Sequence, residues 1–149
     1  MMECHSCRSI SGEKRISPGP FIHEGTYWLV DHAYPTSHLG WLVIVLKRHA
    51  EALHDLSREE FAELAEIQYK LAQVMRHDGH VEKEYMMLFA EAPGFSHIHI
   101  HFVPKPKDLP ARLKGPAIFK KLKVTNARAV PPEAIRAFCE EFRAKFESV

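Results

Sequence analysis

The sequence predicts an α+β fold, with a mainly antiparallel sheet of about five strands, one long helix and a C-terminal helix. Short apolar runs bounded by turn residues predict the strands. A capped amphipathic stretch after Ser57 predicts the long helix, and Pro131-Pro132 before apolar residues at helical spacing predicts the terminal one. With 149 residues, 46% of them hydrophobic, the chain is long enough for one soluble domain with its own core.

The first strands follow a loop. Residues 8–25 contain several glycines and prolines and are interpreted as a loop with one short strand. Residues 27–30 form a strand candidate that ends near Pro35, because the residue before a proline is pushed out of the helical region. The continuous apolar run 41–46 is predicted to be a central strand that is covered on both faces.

The long helix has the clearest start signals. Ser57 and Glu60 stand three residues apart and form a capping box, with Leu56 and Phe61 at the flanking hydrophobic positions. Asp78-Gly79 ends the predicted helix. Apolar residues recur at helical spacing and predict a buried face made of Phe61, Leu64, Ala65, Leu71, Ala72 and Met75.

The last strands and the terminal helix complete the pattern. Residues 85–89 form an aromatic-rich strand candidate, and residues 97–103 form the next one, which Pro104 and Pro106 are expected to close. The helix after Pro131-Pro132 has an apolar face that packs either on its own domain or on a second subunit. That face consists of Ile135, Phe138, Cys139, Phe142 and Phe146.

Three histidines alternate with apolar residues in residues 97–103. Side chains alternate between the two faces of a strand, so His97, His99 and His101 are expected on one side, about 6.5 to 7 Å apart. Two imidazoles at this spacing can hold one phosphate group, which makes all three candidates for catalysis. Two other interpretations stay open: solvent-facing positions on an edge strand, and a catalytic metal site, which His-x-His also suits.

Cys4 and Cys7 have the short spacing of a zinc knuckle. A redox role is disfavoured because no βαβ pattern follows the pair. No charged segment leads into an apolar one at the N-terminus, so a signal peptide is not expected and a cytoplasmic location is predicted, where cysteines stay reduced. The longest apolar run is too short to span a membrane.

The charge pattern indicates no membrane and no nucleic acid as a partner. The net charge is only +1 with neutral histidines. Residues 105–123 contain seven basic residues and one acid, a pattern more typical of a solvated surface than of a phosphate-binding or RNA-binding segment. Within it, Arg112 and Lys114 are the candidates for contacting a phosphate tail.

The histidine stretch resembles the signature of the histidine-triad superfamily, His-φ-His-φ-His-φ-φ, where φ is apolar. Upstream, the superfamily segment Gly-His-x-Leu-Val-Ile-Pro-Lys-x-His is retained here as Gly40, Val43, Ile44, Lys47 and His49. The resemblance covers roughly residues 4–106. It implies a histidine-triad-like domain over 1–106, followed over 107–149 by the basic segment and the terminal helix.

The sequence departs from the superfamily pattern at three places. Trp41 stands where histidine is usual and Leu46 where proline is usual. The turn at 93–96 is shorter than the usual Gly- and Gln-rich loop, which often contacts the phosphate. The shorter turn is expected to affect which leaving group and what size of substrate are accepted, and it does not affect the choice of nucleophile.

The resemblance implies a nucleotide hydrolase or nucleotidyl transferase that acts on dinucleoside polyphosphates or adenosine phosphoramidates. His99 would attack the α-phosphorus and form a nucleotidyl-histidine, and His101 would stabilise the developing charge. Ser96 is a candidate for contacting the leaving group. The base and ribose need an apolar slot, for which Ile22, Trp28, Trp41 and Val43 are candidates.

The resemblance also implies a structural zinc ion and a homodimer, with no organic cofactor. Some superfamily members begin with Cys-x-x-Cys and bind zinc through two further histidines. Here the corresponding ligands are Cys4, Cys7, His49 and His97, so that His97 anchors the metal and is not the nucleophile. A metal-dependent hydrolase using all three histidines as ligands and an inactive nucleotide-binding module are the alternatives.

Overall fold

The computed structural model describes residues 3–149, which form three α-helices and five strands. The helices are α1 (His5–Ile10), α2 (Arg58–Arg76) and α3 (Pro132–Glu147). The strands are β1 (His23–Glu24), β2 (Trp28–His32), β3 (Leu42–Leu46), β4 (Val81–Met87) and β5 (His99–Pro106). Short 3-10 turns occupy Leu53–Asp55, Ala111–Leu113 and Gly115–Lys121.

The five strands form one antiparallel sheet in the order β1-β2-β3-β5-β4. This confirms the predicted fold class, and β3 is the central strand that the apolar run indicates. Its register with β5 places Val45 opposite His99 and Val43 opposite His101. The two histidines therefore lie in the middle of the sheet.

Helix α2 starts with the predicted capping box: the Ser57 hydroxyl accepts from the Glu60 amide at 3.1 Å, and Glu60 accepts from the Ser57 amide at 2.8 Å. Its buried face differs in part from the prediction. Phe61 and Ala65 are exposed, since a slightly rotated stripe faces the sheet. That stripe consists of Leu64, Ile67, Leu71, Val74 and Met75.

The last strand is shifted along the chain relative to the prediction. It begins at His99 rather than at residue 97, because the Ile98 amide donates to the Ala50 carbonyl at 2.9 Å instead of to β3, which ends the regular ladder there. It also continues through Pro104 to Pro106. Beyond Phe102, β4 is the only neighbour of β5 in the sheet, and a strand with one open side tolerates a residue without an amide hydrogen.

The main core lies between one face of the sheet and helices α2 and α3. Val30, Ile44 and Ile100 of the sheet share this core with Leu71 of α2 and Phe146 of α3. A smaller apolar cluster around Trp41 and Ile118 lies on the opposite face, beneath the chain that follows β5. No helix within residues 3–149 combines the length and apolar character needed to cross a membrane.

Candidate functional site

A cavity of about 360 Å³ lies on the sheet face opposite α2 and α3. Strand alternation determines its floor: Leu29, Val43, Val45, His99 and His101 face the cavity, whereas their chain neighbours face the main core. Its walls come from α1 and from the loops around Tyr34, Phe89, Phe95 and Phe119. The cavity is thus a mainly apolar space with two imidazoles at its base.

His99 is held in one tautomer by the backbone. Its Nδ1 lies 2.7 Å from the carbonyl oxygen of His97, which can only accept, so Nδ1 carries the hydrogen and Nε2 has a free lone pair. Nε2 of His99 has no hydrogen-bond partner. Because every buried polar side-chain atom in the described chain has one, Nε2 is not buried and is open to the cavity. Burial lowers the pKa of His99, and the nearby Lys123 ammonium lowers it further. A neutral imidazole of this kind is a nucleophile.

His101 is held in the opposite tautomer. The indole N–H of Trp41 donates to its Nδ1 at 3.0 Å, which leaves the ring hydrogen on Nε2. The rings of His99 and His101 are 5.1 Å apart between centroids. Burial, followed by the neighbouring His99 imidazole and the Lys123 ammonium, lowers the pKa of His101 to about 3, so its ring is neutral at physiological pH. The floor of the cavity therefore offers a lone pair from one histidine and an N–H from the next.

A second cluster lies where α1 meets the start of β5, and it brings together Cys4, Cys7, His49 and His97. Their ligand atoms all lie within 4.8 Å of one another. The Cys4 Sγ–His97 Nδ1, Cys7 Sγ–His49 Nδ1 and Cys7 Sγ–His97 Nδ1 distances are 3.5, 3.5 and 3.4 Å. Tetrahedral zinc with ordinary Zn–S and Zn–N bonds separates S and N by about 3.6 Å. The four residues therefore fit a zinc ion.

The two imidazoles of this cluster have partners on their outer nitrogens. His97 Nε2 donates to the Leu46 carbonyl at 2.7 Å, and His49 Nε2 lies 3.1 Å from a Glu51 carboxylate oxygen that also accepts from the Ser96 hydroxyl. Such contacts orient histidine ligands in metal sites and leave Nδ1 free for the ion. Glu51 was not predicted, although its position two residues after His49 is a signal that could have indicated it.

The turn before the histidines holds α1 in place. The His5 amide donates to the Gly94 carbonyl at 3.0 Å. Gly94 has a φ of 78°, and a Cβ there would lie 2.4 Å from the His5 ring. Only glycine fits this close approach in a left-handed conformation. The shortened turn thus brings Cys4 and Cys7 to His97.

The structure divides the predicted site residues into groups. His99 and His101 line the cavity together, whereas His97 turns towards the cysteines. Val43 lines the cavity, and Trp41 lies behind His101.

Other candidates lie away from the cavity. Trp28 and Ile22 are buried in the main core on the other face of the sheet, which makes the prediction that they bind the base wrong. Ser96 donates to Glu51, and neither it nor the predicted Arg112 and Lys114 belongs to the cavity lining.

Several cavity residues were not predicted from the sequence. Lys123 lines the cavity from the segment after the last 3-10 turn, where its backbone N–H donates to the Pro35 carbonyl at 2.9 Å. Asp31 lines the floor and binds the Arg15 guanidinium at 2.7 and 3.1 Å. These residues carry no spacing pattern in the sequence, because chain segments far apart bring them together.

Comparison with known sequences gives a family match. Residues 3–114, more than half of the chain, match the family described as "Scavenger mRNA decapping enzyme C-term binding". This span includes the predicted metal ligands and all three alternating histidines. The comparison with curated protein sequences gives no significant match.

Comparison with solved structures gives the same fold. A Zn-bound histidine triad family protein from Mycobacterium smegmatis superposes with a TM-score of 0.67 at 21% identity, covering 97% of this chain and 94% of the other. A hypothetical histidine triad nucleotide-binding protein from Sulfolobus tokodaii gives 0.67 at 19% identity, covering 97% and 93%. A histidine-triad family hydrolase from Legionella pneumophila gives 0.52 at 20% identity, covering 70% and 95%.

Proposed function

Because this chain belongs to the scavenger mRNA decapping enzyme C-term binding family, within the histidine-triad superfamily, we propose that it is a nucleotide hydrolase or nucleotidyl transferase. Its substrates would be dinucleoside polyphosphates or adenosine phosphoramidates, cleaved through a covalent nucleotidyl-histidine. One observation carries the proposal: the open Nε2 of His99 lies at the base of a cavity, beside the N–H of His101.

The proposed reaction has two displacements at the α-phosphorus. His99 Nε2 attacks phosphorus and forms a P–N bond, while the bond to the leaving group breaks and its electron pair departs with that group. His101 Nε2–H donates a hydrogen bond to a phosphate oxygen as charge develops. Water then attacks the same phosphorus, breaks the P–N bond and releases the nucleoside monophosphate, which restores His99; an acceptor molecule in place of water gives transfer.

The cavity suits a nucleoside with an attached phosphate. Its volume of about 360 Å³ falls within the range of small-ligand sites, and aromatic rings in its walls provide surfaces for a base. Asp31, Glu91 and Lys123 all line the cavity. Asp31 is paired with Arg15, whereas Lys123 forms no ion pair with a carboxylate in the described chain. The Lys123 ammonium is the charge available to a phosphate tail.

We propose that Cys4, Cys7, His49 and His97 bind a structural zinc ion. The four protein ligands would fill all four coordination positions of the zinc ion. The ion would therefore cross-link the chain segments that carry these residues, and it would have no open position for substrate. Burial and the neighbouring Cys4 thiol raise the pKa of Cys7 to about 11 without a cation, and a bound metal ion reverses that effect by stabilising thiolates.

The geometry does not favour the alternative of a catalytic metal on all three histidines. His97 Nδ1 faces the two thiols, His99 Nδ1 donates to a carbonyl, and His101 Nδ1 accepts from Trp41. Only the two Nε2 atoms of His99 and His101 remain, which is fewer than the three protein ligands of a typical catalytic zinc site. The alternative of an inactive nucleotide-binding module is not supported by the histidines, since all three are present in the sequence.

The proposed function is tested by turnover of a dinucleoside polyphosphate and of an adenosine phosphoramidate. We expect His99→Ala to lower kcat on the order of 10³-fold or more, because the nucleophile is lost, while the fold remains. His77→Ala removes an exposed histidine beyond α2 and is the matched control, with activity unchanged. Wild-type turnover together with full activity of His99→Ala would refute the nucleophile, and tight nucleotide binding without turnover would indicate a binding module.

The homodimer that the resemblance implies and the cytoplasmic location that the sequence analysis favours both stay predictions. Light scattering coupled to size-exclusion chromatography measures the first directly: a dimer gives twice the chain mass of 17.1 kDa.

A further inference from the structure

Trp41 makes a contact that the reaction scheme above does not explain. It lies just before β3, is fully buried, and occupies a position where the superfamily pattern has histidine. Its indole N–H donates to His101 Nδ1 at 3.0 Å, with the two rings nearly perpendicular at 85°. A buried tryptophan normally finds an acceptor for its N–H. Here that acceptor is a histidine whose other nitrogen faces the cavity.

Packing holds the indole in this orientation. It packs against the His38 and Phe119 rings, with centroid distances of 6.1 and 5.6 Å. His38 is itself held by a 2.8 Å bond from its Nε2 to the Pro104 carbonyl. Trp41 therefore has little freedom to turn its N–H away from His101.

The contact decides where the hydrogen of His101 lies. An indole N–H has no acceptor capacity, so His101 Nδ1 must accept, and the ring hydrogen must be on Nε2. Protonation of the ring at Nδ1 would break the hydrogen bond from Trp41 and would point two N–H groups at each other. The groups around the ring oppose a charge as well: His99 lies against it and the Lys123 ammonium repels a charge on it. Within residues 3–149 no carboxylate is paired with His101.

We propose that Trp41 is a positioning residue that keeps His101 in the neutral Nε2–H tautomer, so that a non-titrating hydrogen-bond donor always faces the substrate phosphate. The role of this donor rests on the proposed function, whereas its tautomer does not. Trp41 is not part of the cavity lining and acts only through His101. The enzyme thereby keeps one imidazole as a nucleophile and the next as a donor, although both stand on the same strand face.

The tautomer is measured by 15N NMR on the wild-type protein, without substrate. We expect His101 Nε2 to carry the hydrogen, and a scalar coupling across the N–H···N bond between Trp41 Nε1 and His101 Nδ1. We also expect no change in the His101 signals between pH 8 and pH 5. A wild-type His101 with its hydrogen on Nδ1, or one that gains a proton in that range, would overturn the proposal.

Trp41→Phe tests causation, with Trp28→Phe as the matched control. Trp28 is also fully buried and also donates its indole N–H, but to the Glu60 carbonyl at 2.8 Å on the other face of the sheet. Both variants lose a buried indole, so their losses of stability should be comparable. Only Trp41→Phe should give His101 a mixture of tautomers, a raised pKa and a kcat lower on the order of tenfold, less than the loss of a whole donor.

The outcomes separate this inference from the proposed function. An unchanged His101 tautomer and pKa in Trp41→Phe would refute the positioning role even if activity fell. If the wild-type protein turns over neither nucleotide, the proposed function fails. The NMR experiment needs no substrate and still decides the tautomer of His101. Should Trp41→Phe not fold, the wild-type experiment still decides, because the absence of a coupling between Trp41 Nε1 and His101 Nδ1 would refute the positioning role.

Discussion

Single histidines in this protein differ in chemistry because their partners differ. His97 presents Nδ1 to two thiols, His99 presents Nε2 to a cavity, and His101 presents an N–H to the same cavity. In each case the partner of the other ring nitrogen decides the tautomer. Residue type alone thus does not determine the role. The backbone carbonyl or the indole that binds the other ring nitrogen does.

His32 shows the same rule in a structural position. It is 1% exposed, donates from Nδ1 to the Ala33 carbonyl at 2.7 Å, and accepts at Nε2 from the Gly40 amide at 2.9 Å. Burial lowers its pKa from 6.5 to about 4. The neutral form is therefore favoured by folding, so stability is complete above pH 6.5 and falls as the pH drops towards 4.

We expect His32→Gln to remove this dependence, because glutamine cannot titrate and can still accept from Gly40. Between pH 7 and 4.5 the free energy of unfolding of the wild-type protein should fall by about 2 to 3 kcal/mol more than that of the variant. Chemical denaturation at several pH values measures the difference. Equal pH slopes for the two proteins would contradict the account, and acid loss of a metal ion affects both alike.

At this scale the sequence predicted the histidines but not their partners. Strand alternation indicated that His99 and His101 share a face, and the structure agrees. It could not indicate that Trp41 would bind His101 or that Lys123 would reach the cavity, since those contacts depend on how distant segments pack. It wrongly assigned Trp28 and Ile22 to the base, because large apolar residues look alike whether they face a core or a ligand.

Among the elements, α1 depends most on contacts outside itself. It has only six residues, too few to be stable alone, and it supplies Ser6, Ser9 and Ile10 to the cavity wall. Its links to the histidine strand are the backbone bond to Gly94 and the cluster of Cys4 and Cys7 with His97. A zinc ion there would tie the wall of the cavity to its floor.

We expect the purified protein to contain about one zinc ion per chain and Cys4→Ser to lose it. The melting temperature should then fall on the order of 10 °C, since a structural metal contributes several kcal/mol to folding. Elemental analysis and thermal unfolding measure both effects. His99→Ala and Cys139→Ala, which lie outside the cluster, should keep the metal; a zinc ion retained in Cys4→Ser or lost in His99→Ala would contradict the assignment.

Elements were predictable where a local signal marks them. The capping box predicted the start of α2, and the apolar run predicted β3. The start of β5 was not predictable, because the bend at His97 results from pairing of Ile98 with the Ala50 loop. Helix α1 was missed because its stability comes from tertiary contacts rather than from helical periodicity.

In the whole molecule the sheet separates the hydrophobic core from the cavity. One face forms the core with α2 and α3, and the other bears the cavity, covered in part by the segment around Phe119 and Lys123. The face of α3 packs into the main core, as one of the two predicted arrangements requires. The division into 1–106 and 107–149 stays a prediction, although residues from both parts line the cavity.

The central claim is that His99 becomes covalently attached to phosphorus. Brief mixing with a dinucleoside polyphosphate or an adenosine phosphoramidate, an alkaline quench and peptide mass spectrometry test it directly. We predict a nucleoside monophosphoryl group on His99 that forms and decays at rates compatible with turnover. Turnover with no adduct, or with the nucleotide attached to another residue, would contradict the account.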